Sequence, residues 1–143
     1  MNIEQFKHKI KITVRFSDLD AMRHVNNATY LSYLEEARLG YFNEIFKRDK
    51  SSLDFEAVVG KIEINYLYPI VLGDDIVVLT RVSKFGTKSA DVDHIIAINK
   101  DGNLITAATA FTKLVFYDYK TQVTKVIPDD VKEKIAKYEG MNL

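Results

Sequence analysis

The densest group of chemically active side chains lies between residues 17 and 27. It holds two carboxylates (Asp18 and Asp20), one imidazole (His24) and two amides (Asn26 and Asn27). A carboxylate can act as a nucleophile or as the general base for a water molecule. The N-terminus of a helix carries free N–H groups that hold a developing oxyanion. Placed just before a helix, this group therefore favours acyl transfer to water, although each member is also a common turn or cap residue.

The hydrophobic pattern predicts the elements on either side of this group. Residues 9–16 alternate between polar and apolar side chains, which predicts a half-buried strand whose inner face ends with Phe16. Residues 28–46 repeat their apolar side chains at helical spacing, which predicts one long helix with Leu31 on its buried face. One of the two asparagines before it is the expected N-cap.

The rest of the chain is predicted to be mainly strand. After a polar stretch at residues 47–54, the pattern indicates four strands, at residues 58–66, 75–83, 88–99 and 104–117. Asp101 and Gly102 predict a tight hairpin between the last two strands, and residues 127–138 predict a short C-terminal helix. One amphipathic helix and a large sheet predict an α+β fold in which the sheet curls around the helix. Several strands are apolar on both faces, so we expect a second subunit against the outer face.

Composition narrows the class of protein. The 143 residues, 47% of them hydrophobic, predict a single domain over residues 1–143. Lys and Arg together number 20, as do Asp and Glu, and a net charge of zero disfavours a nucleic-acid partner. The absence of cysteine excludes thiol chemistry, and no other residues have metal-ligand spacing, so no metal or cofactor is expected. No signal-peptide pattern or long apolar run occurs, which favours a cytoplasmic protein without a membrane partner.

The polar group resembles the signature of the hotdog-fold thioesterases, and more narrowly the 4-hydroxybenzoyl-CoA thioesterase-like branch of acyl-CoA thioesterases. The signature consists of an Asp-x-Asp turn, a His-x-Asn-Asn step, a tyrosine and a Glu-x-Ala-Arg helix segment, with a second element further along the chain. The matching residues are 15–30, 34–38, 62–69 and 73–74. The likeness extends from about residue 11 to residue 117.

The resemblance implies a hotdog fold, in which an antiparallel sheet of about five strands wraps around one long central helix. It also implies hydrolysis of an acyl-CoA, or of an acyl carrier protein thioester, without a cofactor. The family further implies a homodimer or homotetramer in which two sheets join edge to edge and the active sites lie at the dimer interface.

Carried over by position, the catalytic carboxylate of the family falls on Asp20, as nucleophile or as general base. The backbone N–H that polarises the thioester carbonyl falls on Asn27, and His24 takes a supporting role. Another hotdog branch uses an acid from the central helix, which leaves Glu35 and Glu36 as alternatives. Asp18 is expected to shape the turn rather than to perform chemistry.

A glycine-containing turn at residues 84–89 is where the resembling enzymes place contacts to CoA phosphates. Lys84, Lys88 and Ser89 are therefore the expected substrate-binding residues, with Arg23 and Lys61 as weaker candidates. Two other functions stay open from the sequence. One is a non-catalytic acyl-CoA-binding module, and the other is a hotdog hydratase or dehydratase.

Overall fold

The computed structural model describes residues 1–47 and 56–143, so nearly all of the polar stretch expected at residues 47–54 lies outside the described residues. The elements are β1 (His8–Thr13), α1 (Thr29–Phe46), β2 (Ala57–Tyr66), β3 (Asp75–Phe85), β4 (Ser89–Lys100), β5 (Asn103–Asp118), β6 (Val123–Thr124) and α2 (Asp129–Glu139). Short 3-10 turns at Ile3–Gln5 and Phe16–Asp18 stand on either side of β1. In these two ranges, neither helix combines the length and apolar character needed to cross a bilayer.

The strands form one antiparallel sheet in the order β1-β3-β4-β5-β2, and β6 pairs with the end of β5. The long helix α1 packs on one face of this sheet, so the predicted α+β hotdog architecture is confirmed. The predicted hairpin between β4 and β5 is confirmed as well. Asp101 and Gly102 have φ angles of 55° and 86°, and positive φ at both central positions is what a two-residue hairpin turn requires.

The interior beneath α1 divides into two apolar clusters. Leu34 and Ala37 pack with residues of β3 and β4 near the start of the helix, and Tyr41 and Phe42 belong to a second cluster near its end. Four buried polar residues lie between the clusters, and we call them the polar layer: Arg38, Thr80, His94 and Thr112. In this layer Arg38 Nη1 donates to Thr112 Oγ1 over 3.4 Å, and His94 Nδ1 lies 3.1 Å from Thr80 Oγ1.

Two details of the predicted burial are wrong. The first strand ends at Thr13, because the chain turns into the 3-10 segment, and Phe16 is 81% exposed instead of lying on the inner face. Leu31 is 41% exposed, because Tyr30 and Tyr33 occupy the inner face at the start of α1.

Part of the outer face of the sheet is covered by the chain itself. Val77 and Leu79 point away from α1, as their alternation predicts, and are buried in a cluster with Phe6 from the segment before β1. Lys7 Nζ donates to the backbone oxygen of Tyr138 over 2.7 Å, which ties this segment to the end of α2. At this part of the face, the cover that we expected from a second subunit comes from the N-terminal segment.

We predict that His94 makes the stability of the fold depend on pH. Burial, with smaller contributions from nearby Arg38 and His8, lowers the pKa of His94 from 6.5 to about 3. The unfolded chain therefore takes up a proton below pH 6.5 that the folded chain does not, and the stability contributed above that pH is lost as the pH falls. From this group alone, the free energy of unfolding should fall by up to about 1.4 kcal/mol per pH unit below 6.5.

Denaturant titrations between pH 7 and pH 4.5 measure this slope. His94→Gln, which can still bond Thr80, should reduce the slope by more than the control variant His24→Gln, at an exposed histidine. Equal slopes for the parent protein and His94→Gln would contradict the prediction.

Candidate active site

The loop between β1 and α1 is held by its own backbone and by the connection between β2 and β3. Within the loop, the Asp20 N–H donates to the His24 oxygen over 2.8 Å, and the Asn26 N–H donates to the Asp18 oxygen over 2.8 Å. The Val25 N–H donates to the oxygen of Ile70 over 2.8 Å. These bonds fix the loop at the end of the sheet where α1 begins.

Asp18 anchors the loop through a buried carboxylate, and only 2% of the residue is exposed. Oδ2 accepts from the Arg15 N–H over 2.9 Å and from the Tyr33 hydroxyl over 2.8 Å, and Oδ1 accepts from Arg15 Nη2 over 3.1 Å. Burial alone would raise the pKa of Asp18, but the hydrogen bonds from Arg15 and Tyr33 outweigh it and lower that pKa. Asp18 thus has the turn-shaping role that we expected, and Tyr33 connects it to α1.

Asp20 is exposed, and its two carboxylate oxygens differ in their hydrogen bonds. Oδ1 accepts from the backbone N–H of Met22 over 2.9 Å and of His24 over 3.2 Å. No group in residues 1–47 or 56–143 is hydrogen-bonded to Oδ2. One oxygen therefore closes the turn, and the other remains available for chemistry.

Two cavities meet at Asp20. The first, which we call the tyrosine cavity, has a volume of about 350 Å³ and is rich in hydrogen-bonding side chains; it is lined by Asp20, His24, Val25, Asn27, Tyr30, Tyr66, Leu67, Tyr68 and Pro69. The second, which we call the apolar cavity, has a volume of about 660 Å³ and is lined by Phe16, Leu19, Asp20, Arg23, Val71 and Leu72. The tyrosine cavity brings together the three predicted catalytic residues, Asp20, His24 and Asn27.

At the start of α1, the backbone N–H groups of Asn27 and Tyr30 have no acceptor among the described residues, and both residues line the tyrosine cavity. Asn26 takes up the neighbouring donors, because its Oδ1 accepts from the Ala28 N–H and its backbone oxygen accepts from the Thr29 N–H, both over 2.9 Å. Ala28 occupies the N-cap position itself, so the prediction of an asparagine there is wrong, although Asn26, two residues earlier, makes a capping-type bond to the Ala28 N–H. Within the described ranges, the N–H of Asn27 has no hydrogen-bond acceptor, whereas its oxygen accepts from the Tyr66 hydroxyl over 2.8 Å.

The alternative acids on the helix are not part of this arrangement. Glu35 and Glu36 are exposed on α1 and line neither of the two cavities at Asp20. His94, which lies in the polar layer, is also remote from the loop. Among the residues that the structure describes, no three His, Asp or Glu side chains are grouped closely enough to hold a metal ion.

The predicted substrate-binding turn lies at the other end of the sheet. Asp75 begins β3 near the loop, and Lys84 is close to the end of that strand, so the two ends are separated by about 33 Å at the usual rise of a strand. Lys88 Nζ donates to Thr124 Oγ1 over 3.3 Å, and Ser89 pairs with Val115. A single chain therefore does not bring Lys84, Lys88 or Ser89 to Asp20.

Sequence reasoning did not single out several residues of the site. Tyr30, Tyr66 and Tyr68 line the tyrosine cavity, and the rings of Tyr30 and Tyr66 meet edge to face with centroids 4.9 Å apart. Lys100 Nζ lies 5.4 Å from the ring centroid of Tyr68, which places a cation beside this cavity. Tyr30 is the tyrosine of the first matched element, and Tyr66 and Tyr68 belong to the second, so the resemblance was the one signal for all three. Nothing in the sequence pointed to Lys100.

The chain is similar to several known thioesterases. The family model described as the thioesterase-like superfamily matches residues 14–135. The long-chain acyl-CoA thioesterase FadM of Escherichia coli (strain K12) is 33% identical over 126 residues, which are 87% of this chain and 94% of that protein.

Solved structures give the same result. A thioesterase from Thermus thermophilus, in complex with coenzyme A and Zn, is 35% identical with a TM-score of 0.84, over 98% of this chain and 99% of that chain. A mutant of 4-hydroxybenzoyl-CoA thioesterase, in complex with 4-hydroxybenzoyl-CoA, has a TM-score of 0.80 over 90% of this chain and 97% of that chain. At 15% identity, this second likeness shows the fold alone.

We predict that Tyr33→Phe will loosen the loop that carries Asp20. The change removes one donor from a buried carboxylate and keeps the ring, so it should lower the free energy of unfolding by about 1–3 kcal/mol. Tyr119→Phe is the matched control, because the Tyr119 hydroxyl donates to the Ala57 oxygen at an exposed position. Denaturant unfolding of the two variants tests the prediction, which fails if both lose the same amount.

Proposed function

This chain belongs to the thioesterase-like superfamily, and from that premise we propose that it hydrolyses acyl-CoA thioesters to a free acid and CoA. One observation carries the proposal: two residues that line one cavity hold a carboxylate oxygen and a backbone N–H that have no hydrogen-bond partner among the described residues. These groups are Oδ2 of Asp20 and the N–H of Asn27. The relative named as an acyl-CoA thioesterase supports this choice of substrate class.

Asp20 would act in one of two ways, and both use Oδ2. As a general base, Oδ2 takes a proton from water while the water oxygen adds to the thioester carbonyl. The C–S bond then breaks, and the thiolate takes that proton from the Asp20 carboxyl group. As a nucleophile, Oδ2 adds to the carbonyl itself, the thiolate leaves and accepts a proton, and water then cleaves the resulting anhydride. In either case a negative charge develops on the carbonyl oxygen.

The N–H of Asn27 would hold that charge, together with the positive end of the α1 dipole. A single preorganised donor of this kind commonly contributes a factor of about 10²–10³ to turnover. Tyr66 would support the arrangement, because its hydroxyl bonds the oxygen of Asn27 and its ring packs on Tyr30. His24 shares the same wall and would orient water or substrate.

The enzyme would act as a homo-oligomer whose sheets join through β2, which has one unpaired edge because it pairs only with β5 among the described strands. Antiparallel pairing of two β2 edges would place the Ala57 end of one copy beside the Tyr66 end of the other. Ala57 pairs with Phe116, and Ser89 with the neighbouring Val115. The Ser89 turn of the second copy would then lie about three strand spacings, or roughly 14 Å, from the tyrosine cavity.

In this assembly, Lys84 and Lys88 would lie near a candidate active site, which they do not reach within a single chain. Each turn would supply cations to the CoA phosphates bound at the cavity of the other copy. The predicted catalytic and substrate-binding residues would then meet only between two copies of the chain.

Asp20→Asn should lower kcat for acyl-CoA hydrolysis by at least about 10²-fold, because the amide can neither attack nor take a proton. The substitution keeps an oxygen at Oδ1, so the turn and the melting temperature should stay unchanged. A thiol-release assay and a binding measurement with the same acyl-CoA are the required readouts, and binding should persist.

Asp118→Asn is the matched control, because Asp118 Oδ1 also accepts two backbone N–H bonds, from Lys120 and Thr121, far from the cavities. It should keep parent activity. Parent activity in Asp20→Asn would remove Asp20 from the chemistry, and loss of activity in Glu35→Gln or Glu36→Gln would favour a helix acid instead. A parent protein that binds acyl-CoA but releases no thiol would be a binding module. Hydration of an enoyl-CoA without thiol release would favour a hydratase.

Replacing Lys84 and Lys88 together with Ala should raise KM for acyl-CoA by about tenfold, because charge-assisted bonds to phosphate are lost. A short synthetic thioester without phosphates should keep its KM. Equal changes for the two substrates would exclude a role for these lysines in phosphate binding.

Mixed dimers test whether the lysines act across the interface. Chains carrying Asp20→Asn are co-expressed with chains carrying the double lysine substitution and isolated with two affinity tags. If the lysines serve the partner's site, half of the sites in the mixed dimer combine an intact Asp20 with intact lysines and should show the parent KM. A raised KM in every active site would show that the lysines act within their own chain.

A further inference from the structure

The position of Asp20 between two cavities of different chemistry points to how a thioester would be bound. A thioester carbonyl has two substituents, the acyl chain and the arm attached through sulfur, and they leave the carbon in different directions. If the carbonyl lies at Asp20, as the proposed function requires, each substituent has a separate cavity to enter. Asp20 is the residue that the two linings share.

The tyrosine cavity suits the polar arm. Its lining includes the phenol of Tyr68, the side-chain amide of Asn27 and the imidazole of His24, which can bond to amide groups of a pantetheine-like chain. Beyond Tyr68 stands the ammonium group of Lys100, 5.4 Å from the ring centroid, which adds a hydrogen-bond donor for the amide oxygens of the arm.

The apolar cavity suits a hydrocarbon chain. Four of its six lining residues, Phe16, Leu19, Val71 and Leu72, offer no side-chain hydrogen bond. Phe16 is 81% exposed and Leu72 is 51% exposed in the single chain, so a ligand that covers them removes apolar surface from water. The volume of about 660 Å³ is within the range of ligand pockets and is almost twice that of the tyrosine cavity.

We propose that the apolar cavity is the acyl-chain site and that Phe16 and Leu72 set a preference for long acyl chains. The chain enters between the 3-10 turn that carries Phe16 and the turn between β2 and β3 that carries Leu72. Since each buried methylene contributes about a fourfold gain in affinity, a chain that extends along these side chains gains in kcat/KM over a short one. The inference rests on the proposed function and names its substrate class.

The test compares two substrates on one variant. Phe16→Ser with Leu72→Asn removes the exposed apolar walls without altering a buried residue. For dodecanoyl-CoA, used below the concentration at which it forms micelles, kcat/KM should fall by at least about tenfold. For butyryl-CoA, which would not reach these walls, kcat/KM should change less than about twofold.

Val123→Asn is the control, because Val123 is exposed to a similar degree on β6 at the other end of the sheet. It should leave both substrates unchanged. An equal fall for both acyl chains in the double variant would overturn the acyl-chain site. A change in oligomeric mass without a dependence on chain length would show that a second copy covers Phe16 and Leu72, and would overturn it as well.

If the proposed hydrolysis itself is wrong, the result differs from the one expected when only the acyl-chain site is wrong. In that case the parent protein would release no thiol from either substrate. Calorimetric binding of a dodecyl-CoA thioether, which cannot be hydrolysed, would still test the cavity. Binding weakened about tenfold by the double variant would support the acyl-chain site, and unchanged binding would contradict it.

Discussion

The buried carboxylate of Asp18 is the interaction on which the candidate site depends. A carboxylate removed from water must be fully hydrogen-bonded, and here Arg15 and Tyr33 supply the donors. Because Tyr33 belongs to α1, the loop takes its position from the helix. The backbone oxygen of Asp18 also accepts from the Asn26 N–H, so Asp18 connects the first part of the loop to its last part. Asp20 and Asn27 therefore keep a fixed relation to the start of α1.

In the rest of the structure, most of the residues that stabilise the fold differ from those that are exposed near the site. The two apolar clusters and the polar layer beneath α1 are buried and lie along the length of the sheet. The exposed apolar side chains near the site, such as Phe16, Leu72 and Tyr66, belong to loops and strand ends at one edge of that scaffold. Loops positioned by a rigid scaffold tolerate changes in their side chains, so the exposed part of the cavity lining can vary at little cost to the fold. Val25 and Tyr30 are exceptions, because they line the tyrosine cavity and are also buried in the apolar cluster at the start of α1.

The sequence was sufficient for elements whose signal is local, such as α1, the four long strands and the turn at Asp101 and Gly102. It was insufficient where distant segments meet. In an extended segment Asp18 and Asp20 would point the same way, but the 3-10 turn at Phe16–Asp18 buries one and exposes the other. The charge pattern at Lys84 and Lys88 suggested a phosphate site without showing its distance from Asp20. Lys100 lies beside the site because β4 pairs with β5, and the Tyr68 N–H donates to the Ala107 oxygen of β5.

The double hydrogen bond to Asp20 Oδ1 has a consequence for reaction entropy. A free aspartate samples several χ1 and χ2 states, whereas two backbone donors restrict this side chain to one of them. The ordering is completed once, when the loop folds. In the proposed reaction, a substrate would therefore meet an Oδ2 whose direction is already set, and less rotational freedom would be lost on the way to the transition state.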